Sequence, residues 1–509
     1  MLYIPTIGLE VHAELKTRTK MFCDSLNDSL ERRPNVNICP ICTGHPGTLP
    51  VVNRSAVESI IRVGMAVGGD LPMVSKFDRK NYFYPDIPKA YQISQYDLPL
   101  VFGGVLNGVR LTRVHLEEDT ARLQHADGDG FGAKLERRVS LVDFNRAGVP
   151  LMELVTEPDI KNADEAVAFA KELQLLLRYL GVSDADMEKG QMRVEANVSI
   201  RPEVGSKNED SKLLEKSFAA IGLEGKPVLG TKVEVKNINS FKAVYGAIQY
   251  ELKRQAEVLE GGGKVIQETR GWDDVNQVTV GQRIKESAHD YRYFPEPDLP
   301  PLDLSRLDLK ALKISLPELP WEKRARFLKE FGLSATETES LIQDRRAAQF
   351  FEEAFSEFKL EHRTPGSREI KLLINYLNTD LRGLLTEKAS SWDDSKISPE
   401  HFADLIVLIS ENKITSRSAK DILRRMSESG LDPYAILQTE GLEQVSDAEV
   451  LRGMAMGIVA AHPQPVADFK KGKENALQFL VGKAMAELKG KGNPAVLQKV
   501  FRELLGQEK

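Results

Sequence analysis

The sequence predicts an α+β N-terminal region followed by an all-α C-terminal region. Three observations carry that prediction. Period-two alternation recurs in four stretches before residue 293, two well-capped helices lie among them, and strand alternation nearly disappears after a proline-dense segment.

The first strand is expected over residues 7–15 (IGLEVHAEL), where Ile7, Leu9, Val11 and Ala13 alternate with Glu10, His12 and Glu14. A second, residues 114–119 (VHLEED), carries His115, Glu117, Glu118 and Asp119. The segment near 162–180 reads as a helix, with Asn162 or Asp164 to cap its start and Gly181 to end it. Residues 192–200 (MRVEANVSI) set Arg193, Glu195, Asn197 and Ser199 opposite apolar partners, and residues 231–236 (TKVEVK) do the same with Lys232, Glu234 and Lys236. A second helix is predicted over 241–259, with Ser240 as N-cap and Gly261, Gly262 and Gly263 as its stop.

Between Pro295 and Pro320 there are six prolines, which mark a boundary segment with little regular structure. Beyond it, stretches such as WEKRARFLKEF (321–331) and DRRAAQFFEEAFSEF (344–358) have helical periodicity, and a further helical start is expected at Ser398-Pro399-Glu400. Residues 462–509 hold nine Lys/Arg against five Asp/Glu, a basic tail in a chain of net charge −6.

At 509 residues the chain exceeds a single core, and its 41% hydrophobic and 28% charged composition is that of a soluble globular protein. No apolar run is long enough to cross a bilayer, and the N-terminal residues lack a secretory pattern. Three cysteines in so long a chain make no disulfide framework and fit a reducing cytoplasm. The negative balance excludes a wholly basic nucleic-acid coat but leaves room for a local basic face.

Several polar faces with His and Lys among the carboxylates suggest a sheet floor that holds a metal and phosphates. Glu10, His12, Glu118, Glu195 and Glu234 could converge on one divalent ion such as Mg²⁺, which prefers oxygen ligands; the alternative is a set of solvated faces with no common centre. In FDRKNYFYPDIPKAYQISQYDLPL (77–100), Arg79 and Lys80 could neutralise a triphosphate while a tyrosine or Phe83 stacks a base. The same residues read equally as a proline-rich loop pinned by aromatics. The loop HDYRYFPEPDLPP (289–301) offers Arg292, and NRAGVP (145–150) and KNINSF (236–241) offer amides, Arg146 and Lys236. Cys23, Cys39 and Cys42 form a C-x15-C-x2-C pattern that suits zinc but supplies three of four ligands, with Ser25 where a fourth cysteine would complete a C-x-C pair. Asp24 or His45 could substitute, or the thiols are simply reduced and buried. No phosphate-binding P-loop, dinucleotide fingerprint or nucleophile elbow is present, so bound ATP would depend on a sheet-borne metal.

The stretches IGLEVHAELKT, CPICTGHPGTLPVVN, KFDRKNYFYPDIPKAYQISQYDLPL, HLEEDTAR, LVDFNRAGVPLMELVTEPDI, DYRYFPEPDLPPL and, in the tail, DFKKGKENALQFLVGKAMAELKGKGNP closely resemble the B subunit of the tRNA-dependent Asp/Glu amidotransferases. The resemblance spans nearly the whole chain. It implies a cradle with a mainly antiparallel sheet flanked by helices, related to glutamine synthetase and guanidino kinases, over 1–293. A helical domain over 294–397 and a helical, tRNA-binding tail over 398–509 would follow. It implies a C–N ligase that works with an amidase-type A subunit and a small C subunit. ATP and Mg²⁺ would serve to phosphorylate the Glu or Asp carried by mischarged tRNA(Gln) or tRNA(Asn), and ammonia from glutamine would displace the phosphate.

Matched motifs make Glu10, His12 and Glu118 metal ligands, with Glu195 and Glu234 beside them. They make Glu117, Glu118, Glu153, Lys236 and Arg292 catalytic candidates, and Arg79, Lys80, Asn197 and Lys236 nucleotide or phosphate contacts. Ser25 departs from the family's C-x-C pair, so Cys23, Cys39 and Cys42 would hold a structural Zn²⁺ at most. Lys470, Lys471, Lys473, Lys483, Lys489 and Lys491 are the expected RNA contacts. The competing readings are a non-catalytic RNA-binding scaffold, and a free-standing metal-dependent ligase needing neither partner nor tRNA.

Overall fold

The computed structural model describes residues 3–126, 139–203, 229–284, 291–361, 364–445, 447–488 and 490–506. It divides into two compact units, residues 1–320 and 321–509.

The first unit contains the strands β1 (Tyr3–Glu14), β2 (Val74–Ser75), β3 (Asp78–Asn81), β4 (Tyr91–Ser94), β5 (Val101–Phe102), β6 (Val105–Leu106), β7 (Val109–Glu118) and β8 (Arg122–Ala126). These are followed by β9 (Val139–Asp143), β10 (Pro150–Thr156), β11 (Met192–Pro202), β12 (Val233–Ile238), β13 (Glu268–Asp273), β14 (Val278–Ile284), β15 (Phe294–Pro295) and β16 (Leu302–Asp303). Among the described residues its long helices are α1 (Arg54–Ala66), α2 (Ala163–Leu180) and α3 (Phe241–Glu260). Nine strands form one sheet in the order β14-β13-β12-β11-β1-β10-β7-β5, with β6 also on β7. Pairing is antiparallel except between β12 and β13, so the predicted α+β class with a mainly antiparallel sheet is what folds.

β1 sits at the centre of this sheet and starts at Tyr3, earlier than the alternation suggested. Its pairing with β11 continues as far as Tyr3 opposite Pro202, and backbone hydrogen bonding rather than side-chain pattern sets that end. Ile7, Leu9, Val11 and Ala13 are buried on one face, together with Val194, Ala196 and Val198 of β11 and Leu154 of β10. α2 and α3 pack on each other and against the sheet through Phe169, Leu173, Leu177, Val244 and Ile248. Asn162 and Ser240 cap them as expected, each accepting a backbone N–H bond from three residues on. Gly181 ends α2 at φ 68°, a left-handed conformation that a side chain would resist. With one face of the sheet closed by helices, Glu10, His12, Glu153 and Glu195 are left on the other, where a smaller sheet (β15-β3-β4) contributes a wall.

Among its described residues the second unit is built from helices joined by short loops, with one isolated bridge between Val445 and Gly492. Ser398 caps the helix Pro399–Ser410, which packs on Arg345–Glu361. Toward the C-terminus, four helices between Ala448 and Leu504 close around Leu451, Ile458, Phe469, Leu480, Leu497 and Phe501. Lys470, Lys471, Lys473 and Lys483 are exposed on them, whereas Lys491 donates to Gly441 O at 2.7 Å; Lys489 lies outside the described residues. Among the described residues no helix is long and apolar enough to cross a membrane.

Candidate active site

The site is assembled by strand register. Across four adjacent strands, Arg193 of β11 stands opposite His12 of β1, His12 opposite Glu153 of β10, and Glu153 opposite His115 of β7. Neighbouring strands lie about 4.8 Å apart, so these side chains share one row on one face. The next row pairs Glu10 with Glu195, and Asn197 stands opposite Glu234. Leu151 of β10 faces Glu117, which brings that carboxylate in beside the row.

His12 Nε2 lies 3.4 Å from Glu153, 3.6 Å from Glu117 and 3.8 Å from Glu10. Glu153 also receives His115 Nε2 at 3.4 Å and Arg113 at 3.6 Å. Burial opposes charge on His12, yet its hydrogen bond to Glu153 and the surrounding carboxylates raise its pKa to about 9. Burial also disfavours the Glu153 anion, but His115 and His12 outweigh it and hold that carboxyl well below its usual range. Glu10 moves the other way, up to about 7, through burial and then repulsion from Glu153. Three ligand-atom groupings on this floor lie within 4.8 Å of one another: Glu10, His12 and Glu153; His115, Glu117 and Glu153; and Glu10, Glu195 and Glu234. The first combines oxygens and one imidazole nitrogen at the edge of a cleft, a set that fits a small divalent ion with positions left for water or phosphate.

The cleft, of about 290 Å³, is lined by Glu10, His12, Glu117, Glu195, Lys80, Lys236, Arg193, Tyr82 and Tyr84 among others. Although burial works against it, Glu117, Tyr293 and Glu153 keep the Lys80 ammonium firmly charged. Lys236 Nζ reaches Glu195 at 2.7 Å. Arg193 binds the buried Asp119 at 2.7 Å, and Arg146 approaches the same carboxylate at 3.4 Å.

The register corrects several expectations. Glu118 does not join Glu10 and His12. Consecutive strand residues face opposite ways, so with His115 and Glu117 on the cleft face, Glu118 points to the other side. There it accepts from Lys89 Nζ at 2.6 Å and from Ile93 N at 2.9 Å. Arg79 is likewise turned away from Lys80; it forms a bidentate pair with Glu296 at 2.7 and 2.8 Å and lies over Tyr91 at 4.2 Å. Arg292 is exposed and does not line the cleft; its backbone O accepts from Asn81 Nδ2 at 2.8 Å. Asn145 holds the chain at 33–37 in place, accepting from Val36 N and Asn37 N and donating to Arg33 O. Asn197 stays on the polar face of β11, and its buried Oδ1 finds no hydrogen-bond partner among the described residues.

Cys23, Cys39 and Cys42 do meet, their sulfurs within 4.8 Å of one another. They are free thiols, and among the described residues no His or carboxylate completes their cluster. Lys20, fully buried, places Nζ 3.7 Å from Cys42 Sγ. The hydrogen bond from Cys23, helped by Lys20 against the cost of burial, holds the Cys42 thiol down to about 4. Three sulfurs fit a metal, but among the described residues the fourth zinc position is not furnished, and Lys20 Nζ already sits beside Cys42 Sγ. Nothing in the sequence pointed to Lys20, because a buried lysine has no local pattern. Residues 289 and 290 of the predicted loop lie outside the described residues.

Comparison with known proteins gives two matches to family profiles. Residues 5–310 match the GatB/GatE catalytic domain, and residues 350–505 match the GatB domain. The chain is similar to the B subunit of the aspartyl/glutamyl-tRNA(Asn/Gln) amidotransferase of Brevibacillus brevis, 42% identical over 511 residues, which is 99% of each chain. The protein of the same name from Caldanaerobacter subterraneus subsp. tengcongensis is 41% identical over 515 residues, the full length of both. That from Carboxydothermus hydrogenoformans is 40% identical over 99% of each.

Proposed function

Given that this chain belongs to the family of B subunits of the aspartyl/glutamyl-tRNA(Asn/Gln) amidotransferases, we propose that its cleft activates the side-chain carboxylate of a Glu or Asp esterified to tRNA with ATP, and that ammonia then completes the amide. The observation that supports this reading is the strand register: it sets His12 opposite Glu153 and leaves Glu10 and Glu117 also within 4 Å of His12 Nε2, with two lysines lining the same cleft. Glu10, His12 and Glu153 would hold Mg²⁺, which when bound supplies the positive charge that lets a carboxylate approach a phosphoryl group.

The chain's own residues do the rest. Lys80 and Lys236 line the cleft, and a fixed ammonium there would stabilise, without reorganising, the charge that phosphoryl oxygens gain. Glu117, hydrogen-bonded by Ser94 at 3.1 Å, keeps His12 oriented from the far side. Tyr82, tied to Gln92 at 2.9 Å, and Tyr84 wall the cleft and limit the access of water to an activated acyl group. Glutamine would be hydrolysed by an amidase-type A subunit, with a small C subunit completing the assembly. The helical residues 398–509 would grip tRNA through the exposed lysines of the tail. The cysteine cluster would serve structure rather than chemistry.

The test is amidation of mischarged tRNA with ATP and free ammonia, which bypasses any partner's glutaminase. His12→Ala and Glu153→Gln should each lower turnover by about 10²-fold or more. Near-normal turnover in both variants would overturn the assignment.

A further inference from the structure

Of the three groupings of potential cation ligands found on the cleft floor among the described residues, two share Glu10: Glu10, His12 and Glu153 on one side, Glu10, Glu195 and Glu234 on the other. The second already contains a cation. Lys236 Nζ lies 2.7 Å from Glu195 Oε2 and 4.0 Å from Glu234 Oε1, and Glu10 adds to the attraction. This follows from the strand. Lys236 is two residues beyond Glu234 on β12, so both face the cleft, while Glu195 reaches over from β11.

Two cation positions bridged by one carboxylate resemble the two-ion sites that clamp both oxygens of an in-line phosphoryl displacement. Here one position is built into the chain. Thr269 Oγ1 donates to Glu234 Oε2 at 2.8 Å and so orients that carboxylate toward the ammonium. A divalent ion entering the second grouping would have to expel Lys236 from among three carboxylates.

We propose that Lys236 permanently fills the second of the two cation positions that share Glu10, so that of this pair only the first, at Glu10, His12 and Glu153, takes a divalent ion. The inference rests on the ATP-dependent reading above and adds to it a positioning role for Lys236 and a fixed metal count. Removing the ammonium should open the second grouping to a second ion rather than merely weaken the site.

Mn²⁺ binding to the full-length chain, followed by electron paramagnetic resonance, tests this. Mn²⁺ prefers oxygen and imidazole ligands, which keeps the count apart from the thiols. The wild-type chain should bind one ion in the cleft with an uncoupled spectrum, abolished in Glu10→Gln. Lys236→Ala should bind two, and Glu10 as bridge should couple their spins, a signature that scattered surface ions do not give. Lys236→Arg should stay at one, and Lys236→Ala combined with Glu195→Gln should return to one. Lys236→Ser, with circular dichroism of each variant, provides the measurement should the alanine variant not fold. A coupled pair in the wild type, or a single ion in both Lys236→Ala and Lys236→Ser, would overturn the proposal. A wild-type cleft that takes no ion would instead remove the metal-holding reading itself, and this inference with it.

Discussion

At the scale of single residues, parity along a strand decides what each group can do. Glu117 and Glu118 are adjacent in sequence, yet one faces His12 and the other Lys89. Glu153→Gln should therefore abolish Mn²⁺ binding in the cleft, whereas Glu118→Gln should leave it within about twofold, as titration calorimetry would show. A loss of binding in Glu118→Gln would restore it as a ligand. Protonation gives a second prediction. Glu10 and His12 both have pKa values raised in the folded, metal-free chain, to about 7 and about 9. A group raised on folding stabilises most below its unfolded pKa and loses that contribution as pH climbs through the folded value. The metal-free first unit should thus lose stability between about pH 5 and 9, and the increase in melting temperature on adding Mg²⁺ should grow over the same interval. A Mg²⁺ effect independent of pH would contradict these protonation states. Glu10 and His12 were legible in the alternation itself. Glu153 was not, since it is a lone acid in an apolar run and only the resemblance singled it out, and the Arg193–Asp119 pair depends on a register that no single segment displays.

At the scale of elements, the strands and capped helices were legible because each is a local pattern: alternation for β1 and β11, Asn162 and Gly181 for α2, Ser240 for α3. Which strands adjoin is a non-local property, and the active-site row exists only because β11, β1, β10 and β7 are neighbours. The loop around 291–298 shows a further gap between pattern and structure. The resemblance made its Arg292 a catalytic candidate, but Arg292 is exposed, and Arg79 on β3 anchors the loop through the fully buried Glu296 side chain. Arg79→Ala would leave that carboxylate uncompensated and should destabilise the first unit by about 3 kcal/mol. Thermal unfolding measures this, and Arg79→Ala with Glu296→Gln should recover part of the loss. Should Arg79→Ala instead unfold normally and weaken ATP binding, the anchoring role would be wrong.

At the scale of the molecule, the proposed chemistry and the proposed grip on tRNA would fall to separate units. The mixed sheet, with all its cleft residues, belongs to residues 1–320, and the lysine-bearing helices to 321–509. Charge reversal in the tail should then affect tRNA binding without touching the cleft. Lys470→Glu with Lys471→Glu should weaken binding of mischarged tRNA and lower the slope of log affinity against log salt by about one for each phosphate no longer engaged. An unchanged slope would mean that these lysines form a merely solvated face. Overall charge gave no hint of this division, because −6 averages an acidic cleft with a basic tail.

The central claim, that His12 and its neighbouring carboxylates hold the divalent ion of the reaction, is tested most directly by electron spin echo spectroscopy of Mn²⁺ bound to the wild-type chain. Coupling to one imidazole nitrogen that vanishes in His12→Ala is the predicted result. An echo without nitrogen modulation, or one that survives His12→Ala, would contradict it.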